Sequence, residues 1–142
     1  SIPLYGSGFL TEGSVLDAQG ESAVGVQTTL HYSTEIDNEA NQAFVEAYQA
    51  AYDELPTVFG MTTFDTANVL DEALQSAEGL SGDELSAALE GLGEIEDSPR
   101  GPWTFNGQTP EQTIYLREVT DEGGVLVNTV VSELGVFEQP LG

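Results

Sequence analysis

Residues Ile2–Tyr32 read IPLYGSGFLTEGSVLDAQGESAVGVQTTLHY, and the order of elements in this stretch decides the fold class. The apolar opening Ile2–Tyr5 predicts a buried strand running into the loop Gly6-Ser7-Gly8-Phe9. Thr11 is placed to cap a short helix that reaches about Asp17 to Gln19 and is closed by Gly20. Ala23–Tyr32 is β-branched and alternating, with Val24, Val26, Thr28 and Leu30 on one side, which predicts a second strand. Strand, helix and strand in that order open an α/β fold.

Three helices follow. Asp37 or Asn38 caps the first, on which Phe44, Tyr48, Ala51 and Leu55 recur at helical spacing until Pro56 ends it. Phe59 then falls in a loop, where it is placed to line a cleft. The next helix is predicted over about Thr63–Ala77, with Phe64, Ala67, Leu70, Leu74 and Ala77 as its inner stripe. Ser81-Gly82-Asp83-Glu84 is a capping box that opens a helix carrying Leu85, Ala88, Leu89 and Leu92. After Gly93 the pattern turns to strands. Trp103–Phe105 meets the turn pair Asn106-Gly107, and Thr113–Val119 with Val125–Val131 flanks Asp121–Gly124 as a hairpin.

The 142 residues hold 25 Asp+Glu, 2 Lys+Arg and no cysteine, a net charge of −23. The two cations, Arg100 and Arg117, cannot make the basic face that nucleic acid or an anionic membrane requires, so neither is expected as a partner. Apolar residues at 39%, with 16 glycines beside them, argue against disorder. The acids are dispersed: over a surface of roughly 7,000 Å² they would sit about 17 Å apart, beyond the Debye length of about 10 Å at 0.1 M salt. We read them as a solvated acidic coat of the kind found in saline surroundings. Without cysteine there is no disulfide, thiolate metal site or cysteine nucleophile. The abrupt start at Ser1-Ile2-Pro3-Leu4-Tyr5, with no initiator Met and no basic leader, predicts a piece of something longer.

Catalytic constellations are poorly supported. His31 is the single histidine, which leaves little for a triad or a multi-histidine metal site, and it is read as a structural or solvated side chain ending the second strand. Carboxylate pairs are uninformative in a chain with 25 acids. Asp37-Asn38-Glu39 lacks the glycine of a calcium loop and is read as a helix start. Gly6-Ser7-Gly8 is half of a dinucleotide fingerprint whose third glycine position holds Thr11, so that motif fails. Two readings of this loop stay open. It is a tight strand-to-helix turn, or a place where small residues at the carboxyl end of a strand admit a ligand. No enzyme activity, cofactor or metal is expected.

Pro3–Leu10 (PLYGSGFL), VGVQTTLHYS, Asn38–Asp53 (NEANQAFVEAYQAAYD), Pro56–Leu70 (PTVFGMTTFDTANVL), Asp97–Phe105 (DSPRGPWTF) and the hairpin TIYLREVTDEGGVLVNTVV together resemble a known family. The chain is similar over its whole length to the type I periplasmic-binding-protein fold, and within it to the substrate-binding proteins of branched-chain amino-acid ABC transporters. The resemblance implies the C-terminal portion of a two-lobed, Rossmann-like α/β fold. By that likeness residues 1–30 and 113–142 belong to the second lobe and residues 31–112 to the first. It implies a non-catalytic extracellular component that captures a branched-chain amino acid, an amide or an aromatic acid in an inter-lobe cleft and works with a transporter permease. A ligand-sensing receptor domain of the same fold is the other function it implies. The location it implies is the periplasm or cell surface, with a lipid anchor in the full-length protein, and an isolated fragment would be prone to self-association. Residue by residue, it implicates Ser7, Gly8 and Phe9 in ligand contact, Phe59 as an apolar cleft wall, and His31 and Tyr32 near a hinge crossing. Where amino-acid-binding members often carry an acid for the ligand ammonium, this chain has Gly8, with Glu12 in the next helix. That departure weakens an amino-acid ligand and leaves room for an aromatic or other organic acid.

Overall fold

The computed structural model describes residues 2–139; Ser1 and residues 140–142, at the outer ends of the segments expected to form the second lobe, lie outside them. Strand β1 (Leu4–Ser7) leads through a 3₁₀ turn (Gly8–Thr11) and the short helix α1 (Ser14–Gln19) to β2 (Val26–Leu30). The two strands pair in parallel, from Leu4 opposite Val26 to Ser7 opposite Thr29. The order is the expected one, but two details differ. The N-cap of α1 is Gly13, at φ 50°, and Thr11 is buried instead of capping. β1 is an edge strand with Ile2, Leu4 and Tyr5 exposed, because a run that is apolar on both sides is buried only when both neighbours are present. In β2 the alternation holds for Val26, Thr28 and Leu30, while Val24 lies outside the strand and is exposed.

Helix α2 (Glu39–Tyr52) begins at Asn38, whose Oδ1 accepts the Asn41 amide at 2.7 Å. It buries Asn41 and Phe44 and half-buries Tyr48, and stops at left-handed Asp53, so Ala51 is exposed and Leu55 lies beyond the helix. Helix α3 (Val58–Ser76) starts earlier than its pattern predicts and takes in Phe59. Its buried stripe is Val58, Met61, Asp65, Val69 and Ala73; Phe64, Leu70 and Leu74 are exposed. The inner face is rotated because an ion pair carries Asp65 inward, whereas the hydrophobic pattern counts an aspartate as solvent-facing. Helix α4 (Gly82–Glu90) has the expected reciprocal capping box between Ser81 and Glu84.

The remaining strands are β3 (Glu94–Ile95), β4 (Trp103–Asn106), β5 (Thr109–Asp121) and β6 (Leu126–Phe137). They complete a six-stranded sheet of order β1-β2-β5-β4-β3, with β6 paired to β5. β5 organises the molecule. Residues 109–112 pair with β4, residues 115–118 with β2, and residues 112–121 with β6. Its alternation buries Tyr115, Arg117 and Val119.

Three apolar clusters hold these layers. Leu30, Tyr32, Ile36, Phe44, Val58, Met61 and Tyr115 join β2 and β5 to α2 and α3. Leu16, Ala23, Val26 and Val119 seat α1 on the sheet, and Val69, Ile95 and Trp103 seat α3 on the small strands. The accessible surface is 8560 Å², above the roughly 7,000 Å² that mass scaling predicts for a globule of this size.

Both arginines are buried against carboxylates, Arg100 with Asp65 and Arg117 with Glu12. The surface is therefore left with acids and no lysine or arginine to offset them. Raising NaCl from about 0.01 M to about 1 M shrinks the Debye length from roughly 30 Å to roughly 3 Å. The thermal midpoint is expected to rise by several degrees over that range; a flat midpoint in calorimetric scans would contradict the repulsive coat.

Candidate functional site

At the end of β1 the chain passes so close to β2 that residue 8 has no room for a side chain. A Cβ on Gly8 would lie 2.6 Å from Leu30 Cβ and 2.8 Å from the Thr29 carbonyl oxygen. This is the close backbone approach that a glycine permits. Ser7 on one side of it and Phe9 on the other face outward. Phe9 is 54% exposed and stacks on Phe59, itself 62% exposed, with ring centroids 5.8 Å apart at 22°. Phe59 stands in the first turn of α3 and not in a loop. Its partner is an aromatic from a distant segment, and the pair leaves broad apolar faces in solvent. Two large exposed aromatics stacked beside a glycine-tight turn form a platform suited to a flat apolar group.

Arg117 supports this turn from inside the sheet. It is 1% exposed, and its guanidinium is shared among four acceptors. Nη1 donates to Glu12 Oε1 at 2.7 Å and to the Tyr32 carbonyl at 2.6 Å. Nη2 donates to the Gly8 carbonyl at 3.2 Å and to Thr28 Oγ1 at 3.2 Å. The second carboxylate oxygen of Glu12 accepts the backbone N–H of Val58, the first residue of α3, at 3.1 Å. Thr11 extends the network: its Oγ1 donates to Asn128 Oδ1, and its carbonyl accepts from Asn128 Nδ2, each at 2.8 Å. Burial lowers the pKa of Arg117 and the neighbouring Glu12 carboxylate works against that, so the guanidinium stays a cation at neutral pH. Glu12 follows the 3₁₀ turn and precedes α1, so it is not a helical residue as expected.

Tyr32 is tied to the turn through Arg117, which its carbonyl shares with that of Gly8, and His31 precedes it in the chain after β2. Tyr32 belongs to the central apolar cluster; its hydroxyl is buried without a partner among the described residues. Burial, and secondarily the Glu12 charge, push that hydroxyl well above its ordinary pKa. His31 Nε2 is likewise buried and unpartnered among the described residues. Burial first, then the Arg100 and Arg117 charges, lower its pKa from 6.5 to about 4, against a smaller opposing effect of Asp65. The neutral imidazole is therefore the folded form. Its contribution is fully present above pH 6.5 and is lost as pH falls toward 4, because the unfolded chain takes up the proton first. The full loss is on the order of 3 kcal/mol. Replacing His31 with Gln should flatten this acid limb in denaturant titrations from pH 7 to 4, and an unchanged slope would contradict it.

A cavity of about 790 Å³ is lined by residues that include Glu12, Tyr32, Pro56, Thr57, Arg117 and Asn128. Of the six residues singled out from sequence it takes in Tyr32 alone. Phe9 and Phe59 form instead the exposed aromatic face, with Ser7 exposed and Gly8 buried next to Phe9 in the chain. The cavity's polar groups Glu12, Arg117 and Asn128 already bond one another, Thr11 or the backbone.

Sequence reasoning missed Arg117, Glu12 and Asn128. A signal for Arg117 was present: in TIYLREV it alternates in phase with Tyr115 and Val119, which places a cation on an apolar face. Nothing local signalled Glu12, whose partners lie 46 and 105 residues away.

Residues 1–124 match the model of a family described as periplasmic binding protein. "Leu/Ile/Val-binding protein homolog 6" of Brucella abortus is 34% identical over 147 residues, an alignment that covers 97% of this chain and 36% of the relative. The chain thus spans little more than a third of the length of the curated relatives it matches. A solute-binding protein of an ABC transporter from Rhodopseudomonas palustris BisB5, solved with 3,4-dihydroxybenzoic acid, superposes with a TM-score of 0.86 at 30% identity, over 96% of this chain and 38% of that one. Another from R. palustris, solved with benzoate, is 40% identical with a TM-score of 0.75, over 95% of this chain and 36% of that one.

Proposed function

The chain belongs to the periplasmic binding protein family, and from that premise we propose that it forms part of a non-catalytic solute-binding component of an ABC transporter, acting outside the cytoplasm. In this reading the solute is a small aromatic acid. The observation that carries it is the stacked, solvent-facing pair Phe9 and Phe59 beside the Gly8 turn. Gly8 supports the same choice, since no carboxylate stands there to meet a ligand ammonium. Two solved relatives carry benzoate and 3,4-dihydroxybenzoic acid. Both arginines are buried in ion pairs, so the solute carboxylate would be met by neutral donors or by other parts of a longer protein.

The division into lobes fits the path of β5, which leaves β4 at Gln112 and joins β2 at Tyr115, close to the boundary drawn at residue 113. Phe9 would then belong to the second lobe and Phe59 to the first, so that closing the lobes would enclose the solute between them. A permease partner and a lipid anchor complete this reading. Among the described residues no helix is long and apolar enough to cross a membrane.

Titration calorimetry of the full-length protein with benzoate, 4-hydroxybenzoate, leucine and a short aliphatic amide tests the proposal. Benzoate or its hydroxylated form should bind, more tightly than leucine. Binding of leucine alone would overturn the solute class, and turnover of any of them would overturn the non-catalytic role. Phe59→Ala should weaken aromatic-acid binding roughly tenfold through loss of ring stacking, with little change in melting temperature for so exposed a side chain.

A further inference from the structure

We infer that Arg117 is the positioning residue of the solute site, holding the Gly8 turn and the first turn of α3 in one arrangement so that Phe9 and Phe59 are presented together. The inference rests on the solute-binding reading and adds to it a residue that touches no solute. One guanidinium reaches three separate parts of the turn's surroundings: the Gly8 carbonyl, Thr28 on β2 and the Tyr32 carbonyl after β2. Its ion-pair partner Glu12 carries the connection across to α3, because the second oxygen of that carboxylate takes the Val58 amide. Val58 immediately precedes Phe59, and Gly8 immediately precedes Phe9. The two platform aromatics are thus each one residue away from an atom held by the Arg117–Glu12 pair.

A purely structural role accounts less well for this arrangement. The neighbouring inward positions of β5 hold Tyr115 and Val119, which fill the same face without a charge. A buried ion pair is seldom more stabilising than well-packed apolar side chains of similar volume. What a guanidinium adds is a rigid fork of several donors in fixed directions, which a point charge such as lysine cannot reproduce. Here two of those donors go to backbone carbonyls, that of Gly8 in the turn and that of Tyr32 beside it, while the turn's own Thr11 hydroxyl lies 3.4 Å from the Gly8 carbonyl and gives its hydrogen to Asn128 at 2.8 Å. A site held in its binding geometry before the solute arrives spends less of its interaction energy on ordering.

The test compares Arg117→Lys with Asp65→Asn, which weakens the other buried ion pair away from the turn, in the full-length protein. Benzoate affinity is read by calorimetry and amide hydrogen exchange in the absence of solute. R117K keeps the charge beside Glu12 but loses the shared donors. It should exchange faster at the amides of Gly8 through Glu12 and at Val58, and bind benzoate roughly 10- to 100-fold more weakly. D65N should lower the melting temperature while leaving exchange at those amides unchanged and affinity within about threefold, well under one charged hydrogen bond. Equal losses of affinity in the two variants, or unchanged exchange in R117K, would overturn the positioning role. If the wild-type protein binds none of the solutes tested, the functional proposal fails by itself, and the exchange comparison still decides whether Arg117 holds the turn. Should R117K not fold, Glu12→Gln, which keeps an acceptor for the Val58 amide and removes the charge that orients Arg117, carries the same expectations.

Discussion

Asp65→Ala is expected to cost the full-length protein about 3–5 kcal/mol of stability, the usual penalty for stranding one half of a buried ion pair. Asp65 is 1% exposed, and its Oδ2 receives both Nε and Nη2 of Arg100, at 2.8 and 2.5 Å. Arg100 is fixed further by Gln112 Oε1 at 2.6 Å and by Trp103, whose ring centre lies 4.2 Å from the guanidinium carbon. Its carbonyl accepts the Tyr115 hydroxyl, so the same residue also ties the loop before β4 to β5. Removing the carboxylate leaves a cation in a pocket that solvent reaches poorly, with a neutral amide and a π face as its remaining partners. Replacing the pair together, Asp65→Leu with Arg100→Met, should recover most of the loss, because an apolar pair avoids the desolvation penalty. Denaturant unfolding of the single and double variants reads this directly. A loss below about 1 kcal/mol for the single variant, the range of exposed ion pairs, would mean that solvent screens the site more than its burial indicates.

Gly8→Ala is expected to cost about 1–3 kcal/mol, the usual range for overpacking, and to weaken solute binding more than tenfold. The obstacle is partly backbone: the new Cβ would meet the Thr29 carbonyl oxygen at 2.8 Å as well as Leu30 Cβ at 2.6 Å. Neither atom can rotate away, so the turn itself must move, carrying Phe9 off Phe59 and the Gly8 carbonyl off Arg117. Gly6→Ala is the matched comparison. There the closest atom is Leu10 Cδ2 at 2.7 Å, the end of a flexible side chain on an exposed residue. Its cost should be distinctly smaller in melting temperature and in affinity. Similar losses from the two substitutions would show that the turn tolerates displacement and that its position matters little for the solute.

Elements bounded by local chemistry were readable from the chain alone. Asn38 caps α2 through a side chain three residues from its target, Ser81 and Glu84 cap α4 reciprocally, and Asn106-Gly107 turns β4 into β5. The residues of the proposed site differ in how visible they are in the chain. Gly8 and Phe9 stood out as a small-residue turn at a strand end, and Phe59 as a lone aromatic after Pro56. What failed were inferences about which face is inward. The hydrophobic pattern of α3 points inward with its largest apolar residues, whereas the observed stripe contains an aspartate because Arg100 draws it in. The apolar run of β1 predicts burial, but burial depends on how many neighbours a strand has, which its own residues do not encode.

The amino-acid sequence by itself determined the α/β class, the starts of α2 and α4, the turns, the acidic character and the likeness to solute-binding proteins. Each of these rests on interactions among residues a few positions apart or on the composition as a whole. Tertiary structure alone decided that Phe9 stacks on Phe59, that Glu12 spans from the Gly8 turn to α3, and that Arg117 lies beneath both. Those contacts join residues separated by up to 109 positions. A buried charge takes its place from the carbonyls and carboxylates that surround it, and only the folded chain brings them together.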